Sequence, residues 1–183
     1  MKGHIFYLLE KFIIENTSDD VYEEILQSCN FITEEPFVRP GTYPDEDLHE
    51  LVDKTVQKMG ITKEEAHFAF GKWIFPHLIK IAPAEVMDFK GPKELLLSID
   101  YIHMIELKKV MPDATPPRFY CLDTGPDTLE LIYSSPREMF DLVDGVLASL
   151  EDFYSTKINY RKVIEKADTH RTCKYLLTFE KIN

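Results

Sequence analysis

Long apolar runs are missing from these 183 residues. No stretch approaches the roughly 18 residues that a membrane-spanning helix needs. Cysteine is scarce and odd in number: Cys29, Cys121 and Cys173 stand far apart. That excludes a disulfide framework and points to a reducing cytoplasm. Positive charge is short, with 21 Lys and Arg against 32 Asp and Glu, a formal net charge of −11. Binding to phosphate backbones or anionic lipid depends on cations, so both are disfavoured. There is no phosphate-binding glycine loop, no dinucleotide fingerprint and no catalytic triad pattern. Repeats, low-complexity tracts and interdomain linkers are also missing. The apolar opening, Ile5 to Leu9, stops at Glu10-Lys11 with no small-residue cleavage site, so it reads as a mature amphipathic helix rather than a signal peptide.

What remains is a chain that is 44% hydrophobic and 12% aromatic, enough for one folded domain over residues 1–183. Ile5, Leu8, Leu9, Phe12 and Ile13 recur at helical spacing. Thr17-Ser18 before Asp19-Asp20 opens a second helix, running to about Cys29. Pro36, Pro40, Gly41 and Pro44 mark a loop. A third helix is expected from about Asp45 to Gly60, and Thr62-Lys63-Glu64-Glu65 is a capping box for a fourth. Pro76 should kink or end that helix. Another helix covers about Leu95 to Val110. The period then changes. Arg118–Asp123 and Thr128–Ser134 read as strands around a Gly-Pro turn, Pro136 to Tyr154 as a long helix, and Lys157–Ile164 and Lys174–Lys181 as closing strands. The class is α+β: helices first, then a mainly antiparallel sheet interrupted by one long helix.

Two features carry chemistry. His103 lies on an otherwise apolar helix, between Ile99, Ile102 and Met104, Ile105, Leu107. It is either a core histidine bonded to a carbonyl or a neutral imidazole offered to a metal. Tyr133, Ser135 and Arg137 alternate at a strand end, so they face one way. Two hydroxyls and a guanidinium fork suit carboxylates. Alternatively, Ser135-Pro136-Arg137-Glu138 is simply a helix start, with Ser at the N-cap and Pro at the first position. The two readings are compatible, because a helix N-terminus also attracts anions. Haem is a group that needs both a metal ligand and a carboxylate clasp. Elsewhere the signals are weaker. His170-x-x-Cys173 has the spacing of two zinc ligands but lacks a second pair. The clusters Asp19-Asp20, Glu23-Glu24, Glu34-Glu35 and Asp45-Glu46-Asp47 read mostly as solvated helix starts.

Taken together, these residues resemble the H-NOX family, the haem–nitric oxide/oxygen binding domain of bacterial gas sensors and of soluble guanylate cyclase. The opening Met1-Lys2-Gly3-His4-Ile5-Phe6 is similar to the family's. So are Tyr43 to Leu48, Gly60-Ile61-Thr62, Phe70-Gly71 and Ala114-Thr115-Pro116-Pro117-Arg118-Phe119. Tyr133, Ser135 and Arg137 fit the family's Tyr-x-Ser-x-Arg motif at its distance from the histidine. The resemblance implies a distal helical lobe (about residues 1–62) and a proximal lobe with the sheet (about 63–183), with haem b buried between them. It implies His103 as the axial iron ligand, propionates on Tyr133, Ser135 and Arg137, and Pro116 pressed against the porphyrin.

By the same similarity, the gas side is lined by Ile5, Leu9, Ile74, Leu78 and Leu142. Leu142 stands where oxygen-binding members carry a tyrosine. Bound oxygen needs a hydrogen-bond donor more than nitric oxide does, so the expectation is a sensor of nitric oxide and carbon monoxide that does not hold oxygen stably. His4 and Tyr7 are the nearby polar side chains to watch. The implied signal is weakening of the Fe–His103 bond and relaxation of the haem away from Pro116. The implied receiver is a separate histidine kinase or cyclic-di-GMP synthase or phosphodiesterase, the domain itself being bacterial, cytoplasmic and not an enzyme. Two other classes compete: a peroxidase-type haem enzyme, which would need a polar distal acid–base pair, and a haem-free module in which Tyr133 and Arg137 bind a carboxylate or peptide.

Overall fold

The computed structural model describes residues 1–182, apart from the side chains of Glu106 and Val110. The helical half comprises α1 (Gly3–Asn16), α2 (Asp19–Ser28), α3 (Asp45–Met59) and α4 (Lys63–Leu78). Local signals account for their ends. Ser18 caps α2 by accepting the Val21 N–H. Gly60 ends α3 in the left-handed region at φ 67°. Thr62 and Glu65 close the capping box in both directions. Pro76 does not stop α4, which continues to Leu78 and then tightens into a 3₁₀ turn at Ile79–Ile81. The missing N–H leaves the Lys72 carbonyl without its helical donor, and the helix ends two residues later.

The expected strands are present, the second with its expected bounds and the other three longer: β1 (Arg118–Gly125), β2 (Thr128–Ser134), β3 (Thr156–Lys166) and β4 (Arg171–Lys181). They form one antiparallel sheet in the order β1-β2-β4-β3. Strict alternation turns Leu129, Leu131 and Tyr133 inward, and Leu177, Tyr175 and Cys173 oppose them across the ladder. Helix α7 (Phe140–Tyr154) lies on this face; Tyr175 donates its hydroxyl hydrogen to the Phe140 carbonyl at 3.0 Å. Among the described residues no helix is long and apolar enough to cross a membrane.

Two apolar cores result. Phe6, Leu9, Ile13, Ile25, Leu51, Phe70 and Ile74 fill the helical one. Leu131, Tyr133, Leu147, Leu150, Tyr175 and Leu177 fill the one under the sheet. Helix α4 serves both, with Phe70 and Ile74 in the first and Phe75 in the second. It crosses α7 backbone to backbone. A β-carbon on Gly71 would stand 2.1 Å from the Leu142 carbonyl oxygen, and one on Gly145 2.0 Å from that of Phe68. Only glycine lets the helices come this close.

Candidate functional site

Helix α5 (Pro92–Tyr101) begins three residues earlier than periodicity suggests, because Gly91 and Pro92 suit its first turn. Leu95 and Leu96 bury it against the sheet core. Its far end is tied to β1: Asp100 takes two hydrogen bonds from the Arg118 guanidinium, both at 2.8 Å, and a third from the Phe119 N–H at 3.0 Å. Immediately beyond, the helix widens into a π turn at Ile102–Glu106 before resuming as α6 (Leu107–Val110). Such turns are frequent at functional sites, and this one contains His103.

His103 Nδ1 is buried and has no hydrogen-bond partner. Burial lowers the imidazole pKa, while a hydrogen bond with the Pro117 backbone and the Asp100 charge act in the opposite sense. The ring is therefore neutral at neutral pH, the form that can ligate a metal. A buried polar nitrogen left without a partner costs about 1–3 kcal/mol and calls for a reason. An aromatic chain connects it to the carboxylate clasp: His103 to Phe119 at 5.5 Å, Phe119 to Tyr133 at 5.4 Å and Tyr133 to Phe140 at 5.8 Å between ring centroids.

Tyr133 and Ser135 are both buried. Burial pushes the Tyr133 phenol pKa up, against the Ser135 hydroxyl and the Met139 backbone close to it. Arg137 donates to the Thr115 carbonyl at 2.8 Å and to its hydroxyl at 3.0 Å. Its Nε lies 2.8 Å from Asp45 Oδ2, and the Met1 ammonium lies 2.8 Å from Asp45 Oδ1. Burial raises the Asp45 pKa, but these two cations outweigh it and hold the carboxyl below its ordinary range. Arg137 thus joins the sheet lobe to the start of α3 and to the Thr115-Pro116-Pro117 turn, where Pro116 is half-buried.

The expected helix start at Ser135-Pro136 is not formed. Ser135 to Glu138 is a tight turn, closed by the Glu138 N–H donating to the Ser135 carbonyl at 3.1 Å, and α7 begins only at Phe140. Glu138 adopts φ 50°, and Arg171 binds its carboxylate through its backbone N–H and its Nε, each at 2.7 Å. That left-handed residue breaks the helical register, so Ser135 does not present a helix N-terminus. Its hydroxyl instead accepts the Arg137 N–H at 3.3 Å.

On the other side, Leu9 and Ile74 are buried, and Ile5, Leu78 and Leu142 half-buried, all in the helical core. His4 and Tyr7 turn toward another neighbour: the Arg39 guanidinium sits 3.4 Å from the Tyr7 ring centroid, and burial followed by the Arg39 charge lowers the His4 pKa. A cleft of about 380 Å³ runs between Lys2, His4 and Arg39 on one wall and Met111, Pro112 and Asp113 on the other. Lys2 spans it to Asp113 at 3.0 Å. His170 and Cys173 do not form a pair. The histidine is held by Ser134 and Thr169, both at 2.8 Å, while Cys173 faces the sheet core. The described residues contain no cluster of His, Cys, Asp or Glu able to hold a metal ion by themselves.

Sequence reasoning missed Asp45, Thr115, Asp100 and Phe119. Asp45 belonged to an acidic run that resembles a solvated helix start, and nothing local distinguishes it. The residues present suit an iron porphyrin. His103 brings a buried neutral imidazole, hydroxyl and guanidinium groups gather after β2, and an apolar wall is available across α1, α4 and α7.

The sequence profile described as Haem-NO-binding matches residues 2–162. Soluble guanylate cyclase gcy-32 of Caenorhabditis elegans is 24% identical over 151 residues, covering 80% of this chain and 22% of the cyclase, so the chain spans under a quarter of that relative. The Fe(II) unliganded H-NOX protein from K. algicida superposes with a TM-score of 0.88 at 20% identity, covering 100% of this chain and 98% of the other. An H-NOX protein from S. oneidensis in the Fe(II)NO ligation state gives 0.86 at 22% identity, covering 99% and 100%. Two lobes on an α4–α7 seam and the four-stranded antiparallel sheet are the H-NOX fold. The chain belongs to the Haem-NO-binding family, the haem-binding gas-sensor domains that share this fold.

Proposed function

We propose that this chain senses nitric oxide, and also binds carbon monoxide, through haem b, without holding oxygen stably and without catalysing a reaction. The observation that carries the cofactor reading is the buried, partnerless Nδ1 of His103 on a π turn. The gas preference rests on Ile5, Leu9, Ile74, Leu78 and Leu142, which bring no hydrogen-bond donor from their side chains.

When bound, the haem would supply a ferrous iron able to take a diatomic gas. His103 would hold its iron, Tyr133, Ser135 and Arg137 would hold its carboxylates, and Pro116 would pack beside it. The surrounding residues supply the route for a signal. Asp100 fastens the base of the π turn to Arg118 and the Phe119 N–H, so a displacement of His103 pulls on β1 and the proline turn. Arg137 faces a competition, because a carboxylate arriving there displaces Asp45 or shares the guanidinium with it. Asp45 opens α3, so that contact connects the sheet lobe with the helical lobe. A coupling of about 1–3 kcal/mol between such states suffices for signalling, and a gas moves the balance only by preferring one of them. The receiver is a separate bacterial, cytoplasmic protein, a histidine kinase or a cyclic-di-GMP synthase or phosphodiesterase.

The test is direct. Purified protein should be coloured, with a Soret band. His103→Ala should lose the haem and regain it with free imidazole. A colourless wild type expressed with ample iron and porphyrin precursor, or a His103→Ala variant that keeps its haem without imidazole, would overturn the assignment.

A further inference from the structure

We propose that Lys162 is a positioning residue for the gas side of the haem: its ammonium sets the rotation of α7 about its own axis, and with it the place of Leu142. Lys162 lies on β3 directly opposite Tyr175, so its side chain rises on the face that α7 covers. There it meets Asp141 at 3.1 Å and Asp144 at 2.5 Å. The two carboxylates stand three residues apart on α7 and share one flank. Asp144 is only 8% exposed, and the Tyr160 phenol lies against the same carboxyl. Burial lowers the Lys162 pKa, but the two carboxylates outweigh it and raise it well above the ordinary value, so the ammonium stays charged.

The rest of the helix explains why such a hold matters. At the crossing with α4 the contact is backbone on backbone, with Gly71 under the Leu142 carbonyl and Gly145 against that of Phe68. Side-chain ridges, which normally set how helices seat on each other, are missing at both points. Tyr175 holds the Phe140 carbonyl; a helical carbonyl points along the axis, so this bond resists sliding more than turning. Val143 and Leu147 press α7 onto the sheet, an apolar contact with little directional preference. Lys162 instead grips two side chains that project from one flank. Leu142, about 100° round the helix from Asp141, lies on the other. A turn of about 10°, with side chains reaching about 5–6 Å from the axis, moves the Leu142 tip by about 1 Å. The bearing on the gas rests on the proposed function, which puts Leu142 in the gas-side wall; the hold on α7 does not.

Lys162→Met keeps the length of the side chain and removes its charge. In methyl NMR of the purified protein the Leu142 resonances should move, while those of Leu51 on α3 stay in place. Lys162→Arg should return them to the wild-type positions. On haem-loaded protein, Lys162→Met should also displace the C–O stretching band of the ferrous carbon monoxide complex, and Lys162→Arg should restore it. Should the uncompensated Asp144 prevent folding, Lys162→Met with Asp144→Leu removes the whole pair, a change that is often neutral or stabilising, and should give the same displacements. Leu142 resonances at their wild-type positions in either folded variant overturn the proposal, even where the melting temperature has fallen. Moved resonances with an unmoved C–O band overturn the bearing on the gas. Moved resonances in a chain that takes up no haem would uphold the hold on α7 and overturn the proposed function instead.

Discussion

Replacing Gly145 by alanine tests the seam on which both lobes hang. The new β-carbon would lie 2.0 Å from the Phe68 carbonyl oxygen, 2.9 Å from its carbon and 2.8 Å from the Lys72 nitrogen. All three are backbone atoms of α4, so none can swing aside. Ordinary contact begins near 3.4 Å, and α4 and α7 must separate by an ångström or more. Two effects oppose each other. Alanine gains about 1 kcal/mol over glycine in a helix interior, whereas overpacking a tight contact costs about 1–3 kcal/mol. Moving the helices also loosens Phe75 and Leu147, buried in the sheet core beside the seam. The clash should win, with a net loss of up to about 2 kcal/mol. Urea unfolding followed by circular dichroism should show a lower midpoint at unchanged slope. Gly71→Ala, which meets the Leu142 carbonyl oxygen at 2.1 Å, opens the same seam, so the double variant should lose less than the sum of the two. A Gly145→Ala protein with a higher midpoint than wild type would mean that propensity alone is acting and that the backbones do not touch.

Leu142→Tyr should add a donor to an apolar wall and slow oxygen dissociation from the ferrous protein in stopped-flow; unchanged oxygen affinity would refute the distal assignment. Asp45→Asn bears on pH. The folded carboxyl has a lowered pKa, so its stabilising effect is complete above the unfolded value, near 4, and fades as pH falls through the lowered one. The gap in urea midpoint between wild type and Asp45→Asn should therefore be wide at about pH 6 and narrow at about pH 3. Asp47 is almost fully buried and accepts the Ile32 N–H at 2.6 Å, the Thr33 N–H at 3.2 Å and the Thr33 hydroxyl at 2.5 Å. Asp47→Ala strands these donors and should cost about 2–5 kcal/mol, read as a lower melting temperature that Asp47→Asn partly restores.

Helix and strand periods, the Thr62–Glu65 box, the Gly60 stop and the hairpin after Asp123 were all legible in the sequence, because each depends on residues a few positions apart. Strand alternation predicts a shared face for Tyr133, Ser135 and Arg137, but β2 ends at Ser134 and only Tyr133 lies on it; the turn that follows sets the direction of the other two. Other features depended on partners brought from far along the chain. Leu142 meets Gly71 across the seam, and Asp45 meets both the Met1 ammonium and Arg137. Ser135 looked like a helix cap until Arg171, from another strand, took the Glu138 carboxylate and the chain turned at φ 50°. The π turn that isolates His103 left no trace in periodicity, since one extra residue in a helical turn changes the packing without changing the pattern. Sequence by itself determined most of the elements and their order along the chain. Tertiary structure alone decided which charges pair, how closely two helices approach and which buried nitrogen is left without a partner. Those outcomes depend on distances between segments, and no local rule contains them.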